Sequence, residues 1–433
     1  MDSGEPDGLA YHSGVRECRV IHRKLDSADP GRSLMQIFYD EWQLHQRAGI
    51  DSVFTKVVIV GDDGPKLRFT HEEIYSDPAF IKYQQSGKFV YSERVLKDKK
   101  EPNGLRVMLN SKIKRLDPNK PWADVVKSQD DLYAKLKTGS HTERKADAES
   151  RENSAFRASA PAEMVQCLDL MRVAEKGDLP FIYGHNGVDS IPMVKPFPIP
   201  CIFKESSRVD GYDEDMDGIT TWGVYHSTAR SATGCHTEDF RFGSYNIVLQ
   251  ADEPKWWIAM YAHDQSKVEK VVSGWYVKGL ISSASKSKTD SRQSKDDQPK
   301  DDDVPCNQLI TGHYHRMAIP TDPDKLLDQD IALLWASQGP GEIMMVSSNV
   351  VHYVFQAGGN VCMAINFADI HMVPKMVLFT GIYEQCPHDL DDTRKAEKDV
   401  KRHRKARSHG IESHYTGRRM IAYLKTMEAE HGG

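Results

Sequence analysis

The feature that most constrains the fold of this chain is a short polar segment, Cys235–Phe240, that runs into a stretch rich in aromatic and β-branched residues. That stretch, Phe240–Leu249, is typical of a β-strand. Because side chains alternate faces along a strand, His236 and Glu238 are predicted to point the same way. An imidazole and a carboxylate on one face can bind a metal ion if a third ligand arrives from elsewhere. Taken alone, a His-x-Glu pair more often belongs to a solvated polar face.

A candidate for the third ligand is His352, which lies in an apolar run, Ile343–Phe355, that predicts a second buried strand. Two histidines and one carboxylate leave coordination positions open on a metal ion. This donor set is typical of non-haem Fe(II) oxygenases. The sequence therefore predicts a metal site assembled from two strands that are far apart along the chain.

The composition is that of a globular protein with polar segments. The 433 residues, 39% hydrophobic and 28% charged, are enough for two or three domains. No apolar stretch approaches the roughly 18 residues that a membrane helix needs, and the first residues lack the features of a signal peptide. Seven widely spaced cysteines give no disulfide framework, so a reducing, intracellular compartment is expected. The net charge of −6 disfavours non-specific DNA binding and is compatible with a basic peptide partner.

The pattern of elements divides the chain into four parts. Residues 1–137 carry helix and strand signals that predict an N-terminal α+β domain, and residues 138–160 are charged and serine-rich, which predicts a flexible linker. Residues 161–383 begin with a helix and continue as short strands, and they contain a low-complexity insertion, 282–303, that we expect to be disordered. The basic run within 384–433 predicts either a solvated helix face or a nuclear-import or nucleic-acid-binding segment.

Three sequence patterns in the N-terminal part each predict a particular helix or strand. Ser33–Ala48 has apolar residues at helical spacing, with Ser33 as a candidate N-cap. Thr55–Val60 predicts a strand, and Thr70-His-Glu-Glu73 fits a capping box that opens a short helix. These signals predict structure, and no catalytic constellation accompanies them.

The β-rich part of the chain contains short motifs whose order matters as much as their content. They are Phe181-Ile-Tyr-Gly184, Tyr225, His236-Thr-Glu-Asp239, Ser244-Tyr-Asn246, Glu253-Pro-Lys-Trp-Trp257, Gly341-Glu342, His352 and Asn366-Phe-Ala368. In this order they resemble the JmjC family of Fe(II)- and 2-oxoglutarate-dependent oxygenases, and most of all the JmjN/JmjC histone lysine demethylases. The resemblance implies a mainly β fold: a double-stranded β-helix, the cupin or JmjC jelly roll, with surrounding helices.

The resemblance also implies which residues hold the iron and the 2-oxoglutarate. The implied iron ligands are His236, Glu238 and His352. Lys255 and Tyr183 correspond to the residues that bind the distal carboxylate of 2-oxoglutarate, and a cation suits a carboxylate that is removed from water. Asn246 corresponds to the polar residue near the metal-side end of this co-substrate.

Three further residues correspond to the family's substrate site. Tyr225 occupies the position of an aromatic side chain that contacts the methylammonium group, as cation–π attraction would favour. Ala364 and Ile365 stand where two small hydroxylated residues often face the methyl groups. Ile365 would narrow the pocket, which leaves the preferred methylation state open.

Cys306, His315, Cys386 and His388 resemble the family's structural zinc site. The usual pattern ends in Cys-x-Cys, so a histidine would replace the last thiolate here, and Cys₂His₂ is an acceptable tetrahedral set. The spacing from cysteine to histidine is longer than in the family, and His313 competes with His315. Isolated cysteines and surface histidines are the alternative.

The activity implied is removal of methyl groups from methyl-lysine on a histone tail in the nucleus. The resemblance implies Fe(II), 2-oxoglutarate and O₂ as cofactor and co-substrates, chromatin as the context and no membrane. Two alternatives stay open: a JmjC hydroxylase that leaves a stable alcohol on a protein side chain, and a JmjC-fold chromatin scaffold with weak or no turnover. The complete ligand set argues against the scaffold, and Tyr225 favours a methylammonium substrate over a neutral one.

Overall fold

The protein has a mainly β structure. The computed structural model describes residues 11–61, 64–97, 106–138, 154–172, 180–199, 221–238, 242–268, 271, 318–320 and 322–367. Its helices are α1 (Pro30–Arg47), α2 (His71–Tyr75), α3 (Pro78–Gln85), α4 (Trp122–Thr138), α5 (Ala155–Ser159), α6 (Ala162–Arg172) and α7 (Asp324–Leu327). Its strands are β1 (Val15–Glu17), β2 (Arg19–Arg23), β3 (Phe54–Ile59), β4 (Val90–Lys97), β5 (Arg106–Arg115), β6 (Pro180–Gly187), β7 (Gly223–Ser227), β8 (Ala232–His236), β9 (Gly243–Ala251), β10 (Lys255–Met260), β11 (Ala318–Ile319), β12 (Leu333–Gln338), β13 (Glu342–Val346), β14 (Val351–Gln356) and β15 (Asn360–Phe367). None of the described helices is long and apolar enough to cross a membrane.

The strands form two sheets that pack against each other. The smaller sheet has the order β1-β12-β10-β14-β8, and the larger has the order β11-β5-β4-β6-β7-β15-β9-β13-β3-β2. From β7 to β10, and again from β12 to β15, strands of the two sheets alternate along the chain. Apolar residues from both sheets, among them Trp257, Leu334 and Met344, share one buried cluster between them. This arrangement is a double-stranded β-helix, so the predicted fold class is confirmed.

The strands of the N-terminal region are parts of these same two sheets. Strand β1 pairs in parallel with β12, β3 pairs with β13, and β4 pairs with β6. The division predicted at residue 137 therefore does not separate two sheets. The strands β12 and β13 would otherwise be edges of the jelly roll, and their unpaired backbone groups are satisfied by the N-terminal strands.

The local signals in the N-terminal region agree with the structure except at one helix end. The predicted strand is present as β3, and the capping box forms, with Thr70 and Glu73 each bonding the backbone N–H of the other. Helix α1 begins at Pro30 rather than at Ser33, and its cap is Asp29. Proline suits a first helical position because its missing N–H would have no partner there, so the earlier start is favoured.

Several predicted segments lie wholly or partly outside the described residues. The predicted linker, 138–160, includes helix α5, whose Phe156 is buried, so its last residues are structured. The other linker residues from 139 to 153, the insertion 282–303 and the segment 384–433 lie outside the described residues.

The side chains of β15 point alternately into the apolar core and into the space between the sheets. Val361, Met363 and Ile365 belong to the core on one face of the larger sheet. Cys362 lies on the opposite face and contacts Lys255 of the smaller sheet. The space between the sheets therefore receives side chains from both, and the candidate site lies there.

Candidate metal centre

The three predicted metal ligands meet between β8 and β14. His236 and His352 are paired across these antiparallel strands, and their ring centroids lie 4.2 Å apart. Glu238 follows the last residue of β8, and its Oε1 lies 3.5 Å from Nε2 of His352. One donor atom from each residue can be chosen so that all lie within 4.8 Å of one another. The structure therefore brings the predicted trio together, although the carboxylate stands just beyond the strand rather than on it.

Both imidazoles are oriented so that Nε2 can bind a metal. The Nδ1 atom of His236 lies 2.7 Å from the carbonyl oxygen of Gly234, and Nδ1 of His352 lies 3.1 Å from that of Val350. A carbonyl oxygen only accepts hydrogen bonds, so each Nδ1 carries a proton and Nε2 is the ring nitrogen that is left to bind a metal. This is the arrangement in which an outer hydrogen bond orients a metal-binding histidine.

The carboxylate of Glu238 is stabilised in its charged form. Burial by itself raises the pKa of this group. The hydrogen bond and charge of His352, the charge of His236 and the hydroxyl of Ser244 outweigh burial and lower the pKa of Glu238 below its usual range. The Ser244 hydroxyl donates to Oε1 at 2.7 Å. The site therefore favours the anionic form of the group, which is suited to a cation.

Lys255 is a buried cation with neutral neighbours. It is only 4% exposed, and its Nζ donates to Oδ1 of Asn246 at 3.0 Å and lies 3.4 Å from Sγ of Cys362. The Trp257 ring lies 4.9 Å from the same nitrogen. In the part of the chain that the structure describes, no carboxylate pairs with Lys255. A buried ammonium group is costly without a counter-charge, so this position suits an anionic ligand.

Aromatic side chains form a wall beside this position. Tyr183 and Tyr225 lie 5.7 Å apart between ring centroids, and the imidazole of His185 is stacked on Tyr225 at 4.5 Å with an angle of 2° between the planes. Tyr225 is also the register partner of Cys362, which contacts Lys255. The sequence analysis missed His185. The signal for it was its place two residues after Tyr183, because alternate residues of a strand share a face.

The remaining predicted site residues do not all lie at the site. Ala364 is the register partner of Asn246 and is partly exposed. Ile365 is 3% exposed and lies in the apolar core on the other face of β15, so the prediction that it narrows the pocket is corrected. Adjacent residues of a strand cannot both face one site. The four predicted zinc ligands, Cys306, His315, Cys386 and His388, lie outside the described residues.

The residues that are present fit a metal ion and a carboxylate ligand together. Two imidazole nitrogens and one carboxylate, with no fourth protein donor in the described cluster, match the open two-histidine, one-carboxylate site of non-haem iron proteins. Lys255 supplies a buried positive charge on β10, the strand next to His352. The arrangement can hold a cation and orient an anion beside it.

Comparisons with known proteins support the same assignment. A family model described as "JmjC domain, hydroxylase" matches residues 223–367, which is about a third of the chain and includes all three members of the metal cluster. None of the curated proteins compared with this chain matches it significantly. The chain therefore contains a JmjC domain, the domain of a superfamily of Fe(II)- and 2-oxoglutarate-dependent oxygenases.

Proposed function

We propose that this protein is a histone lysine demethylase that acts in the nucleus. The observation that carries the proposal is that the metal cluster and the buried ammonium group of Lys255 lie on two sides of one ring. The Trp257 ring lies 4.9 Å from Nζ of Lys255 and 5.6 Å from the ring of His352. When bound, Fe(II) and 2-oxoglutarate supply, with O₂, the oxidation of a substrate C–H bond, giving succinate, CO₂ and, from an N-methyl group, formaldehyde.

The chain's own residues would bind and orient the reactants. His236, Glu238 and His352 would hold the iron on one side and leave its other positions open. Lys255 would form an ion pair with the distal carboxylate of 2-oxoglutarate. The ammonium group would then contact an anion in place of the neutral groups that it contacts now. Tyr183, on the neighbouring wall, is the proposed second donor to that carboxylate.

The proposed substrate is a methyl-lysine side chain on a basic histone tail. Tyr225 offers an aromatic surface to a methylammonium group, and the net charge of −6 favours approach of a basic peptide. Nuclear location, contact of the basic segment within 384–433 with nucleic acid, and the zinc site are proposed on the sequence alone.

A JmjC hydroxylase is the second candidate, and one observation favours it. The imidazole of His185 is stacked flat on Tyr225 and covers one face of that ring. Less aromatic surface is then available to a cation, whereas a neutral side chain has no need of it. Hydroxylation would leave a stable alcohol, because no nitrogen is attached to the oxidised carbon.

Mass spectrometry of a panel of methylated histone peptides, incubated with the protein, Fe(II), 2-oxoglutarate and ascorbate, tests the proposal. We expect a loss of about 14 mass units per methyl group, and a gain of about 16 units would identify the hydroxylase instead. The His236→Ala protein is the control, since it lacks one metal ligand. If iron is bound and neither peptide mass nor succinate changes, the protein is not an oxygenase and the scaffold alternative is favoured.

A further inference from the structure

The three members of the metal cluster are held in different ways. Each histidine is fixed by a carbonyl of its own strand segment, two residues earlier in the chain. Glu238 lies beyond the last residue of β8, so no strand pairing fixes its backbone. Its side chain is held instead by the hydroxyl of Ser244, which donates to Oε1 at 2.7 Å. The position of the carboxylate therefore depends on a side chain of the larger sheet.

Ser244 belongs to a rigid part of the opposite sheet. It is 3% exposed on β9, and its backbone is paired on both sides, with Val346 of β13 and with Asn366 of β15. A hydroxyl on a central, fully paired strand has little freedom to move. The hydrogen bond thus ties the end of a strand in the smaller sheet to a fixed point in the larger one.

We propose that Ser244 is a positioning residue that orders Glu238 for metal binding before the metal arrives. The inference rests on the metal site of the proposed function. The oxygen that accepts from Ser244 is also the one that lies 3.5 Å from Nε2 of His352, so the hydroxyl holds the carboxylate against the histidines. A carboxylate offers about four lone-pair sites, and one hydrogen bond leaves the others free for a metal.

The effect of this hydroxyl on metal affinity follows from preorganisation. Without it, the Glu238 side chain would lose its partner from the larger sheet and sample other rotamers, and metal binding would have to restrict them. Loss of an outer partner of a metal ligand typically weakens metal binding by about 10- to 100-fold. A hydrogen bond with a purely structural role would change the stability of the fold and leave metal affinity unaltered.

A matched control lies at the far end of β8 and β14, the pair of strands that carries the two histidines. The hydroxyl of Ser231 donates to Oε1 of Gln356 at 2.7 Å, which is the same length as the bond from Ser244 to Glu238. Ser231 is also fully buried and lies just before β8, at the end away from His236. Ser231→Ala therefore removes an equivalent hydrogen bond without touching a metal ligand.

The experiment titrates Co(II) into the full-length wild-type, Ser244→Ala and Ser231→Ala proteins and follows the d–d absorption of the bound ion. Thermal unfolding of each metal-free protein is recorded in parallel. We expect Ser244→Ala to bind Co(II) at least about tenfold more weakly than the wild type, and Ser231→Ala to bind within about twofold of it while losing similar stability. Ser244→Cys, which keeps the size but has a weak donor, should also bind more weakly, and it replaces the alanine variant if that protein does not fold.

Two results would overturn the inference, one against the role of Ser244 alone and one against the metal site itself. If wild-type protein binds Co(II) and Ser244→Ala or Ser244→Cys binds it equally well, or if Ser231→Ala loses as much affinity, Ser244 has only a structural role. If the folded wild-type protein does not bind Co(II), the metal site of the proposed function is wrong, and the role of Ser244 fails with it.

Discussion

The Lys255→Met substitution tests two effects of the buried ammonium group: its effect on the stability of the fold and its predicted role in binding 2-oxoglutarate. Lys255 is 4% exposed, and among the described residues the contacts of its ammonium group are with the neutral side chains of Asn246, Cys362 and Trp257. Methionine has a similar length and no charge, so it removes a desolvation penalty. We therefore expect the metal-free variant to unfold at a temperature at least as high as the wild type.

The same substitution should abolish the response to 2-oxoglutarate. Removing one partner of a buried ion pair costs about 3 kcal/mol or more, which weakens affinity by about 100-fold. A ligand at about 100 times its Kd stabilises the wild type by about 2.7 kcal/mol, and the variant at that concentration would gain only about 0.4 kcal/mol. Thermal unfolding with Mn(II), with and without 2-oxoglutarate, measures both values.

Lys56→Met is the matched control for this experiment. Lys56 is also buried between the sheets, at 7% exposed, but its Nζ is paired with Oε2 of Glu342 at 3.7 Å. Removing it leaves the Glu342 carboxylate without its cationic partner, so we expect a lower unfolding temperature and an unchanged response to 2-oxoglutarate. A full thermal shift in Lys255→Met, or its loss in Lys56→Met, would refute the assignment of Lys255 as the anion-binding residue.

Three further predictions concern stability. Burial lowers the pKa of His226 to about 3, so the folded state resists protonation, and the stability of the wild type falls as the pH drops below the ordinary value of 6.5. In urea unfolding, the free energy of unfolding of His226→Leu relative to that of the wild type should therefore rise by about 2 kcal/mol between pH 7.5 and pH 5. Burial, and then the charge of Asp252, raise the pKa of Asp130 to about 7, so stability falls as the pH rises towards that value; Asp130→Asn should raise the unfolding temperature more at pH 8 than at pH 5. Deleting residues 1–137 exposes the edges of β12 and β13 and should give aggregates in size-exclusion chromatography, whereas a soluble monomer would show that the N-terminal strands are dispensable.

The metal cluster could be predicted from the sequence because the patterns that indicate it lie within short segments. The spacing of His236 and Glu238 and the apolar run around His352 each depend on a few neighbouring residues. The resemblance to a known family then joined the two segments. Lys255 and Asn246 were assigned in the same way, but their direct hydrogen bond was not expected.

The features that sequence reasoning missed depend on contacts between distant segments. Strand signals in residues 1–137 did not reveal that their partners are β6, β12 and β13, because a strand pattern does not specify its neighbour. Ile365 was assigned to the pocket because position in the sequence was considered without the side-chain alternation of the strand. Ser244 was read only as part of a motif, since nothing local shows that its hydroxyl reaches Glu238 in the opposite sheet.

The parallel pairing of β1 with β12 also affects how the protein is made. Val15 pairs with Leu333, so one of the first strands synthesised has no partner until most of the described chain has left the ribosome. At about 5–20 residues per second, that delay is roughly 20 to 60 s. Strands β8 and β10 also stay incompletely paired at first, because β14, which lies between them and carries His352, is synthesised after β12. We therefore expect the nascent chain to rely on chaperones that shield these strands, and expect metal loading to be a late, post-translational event.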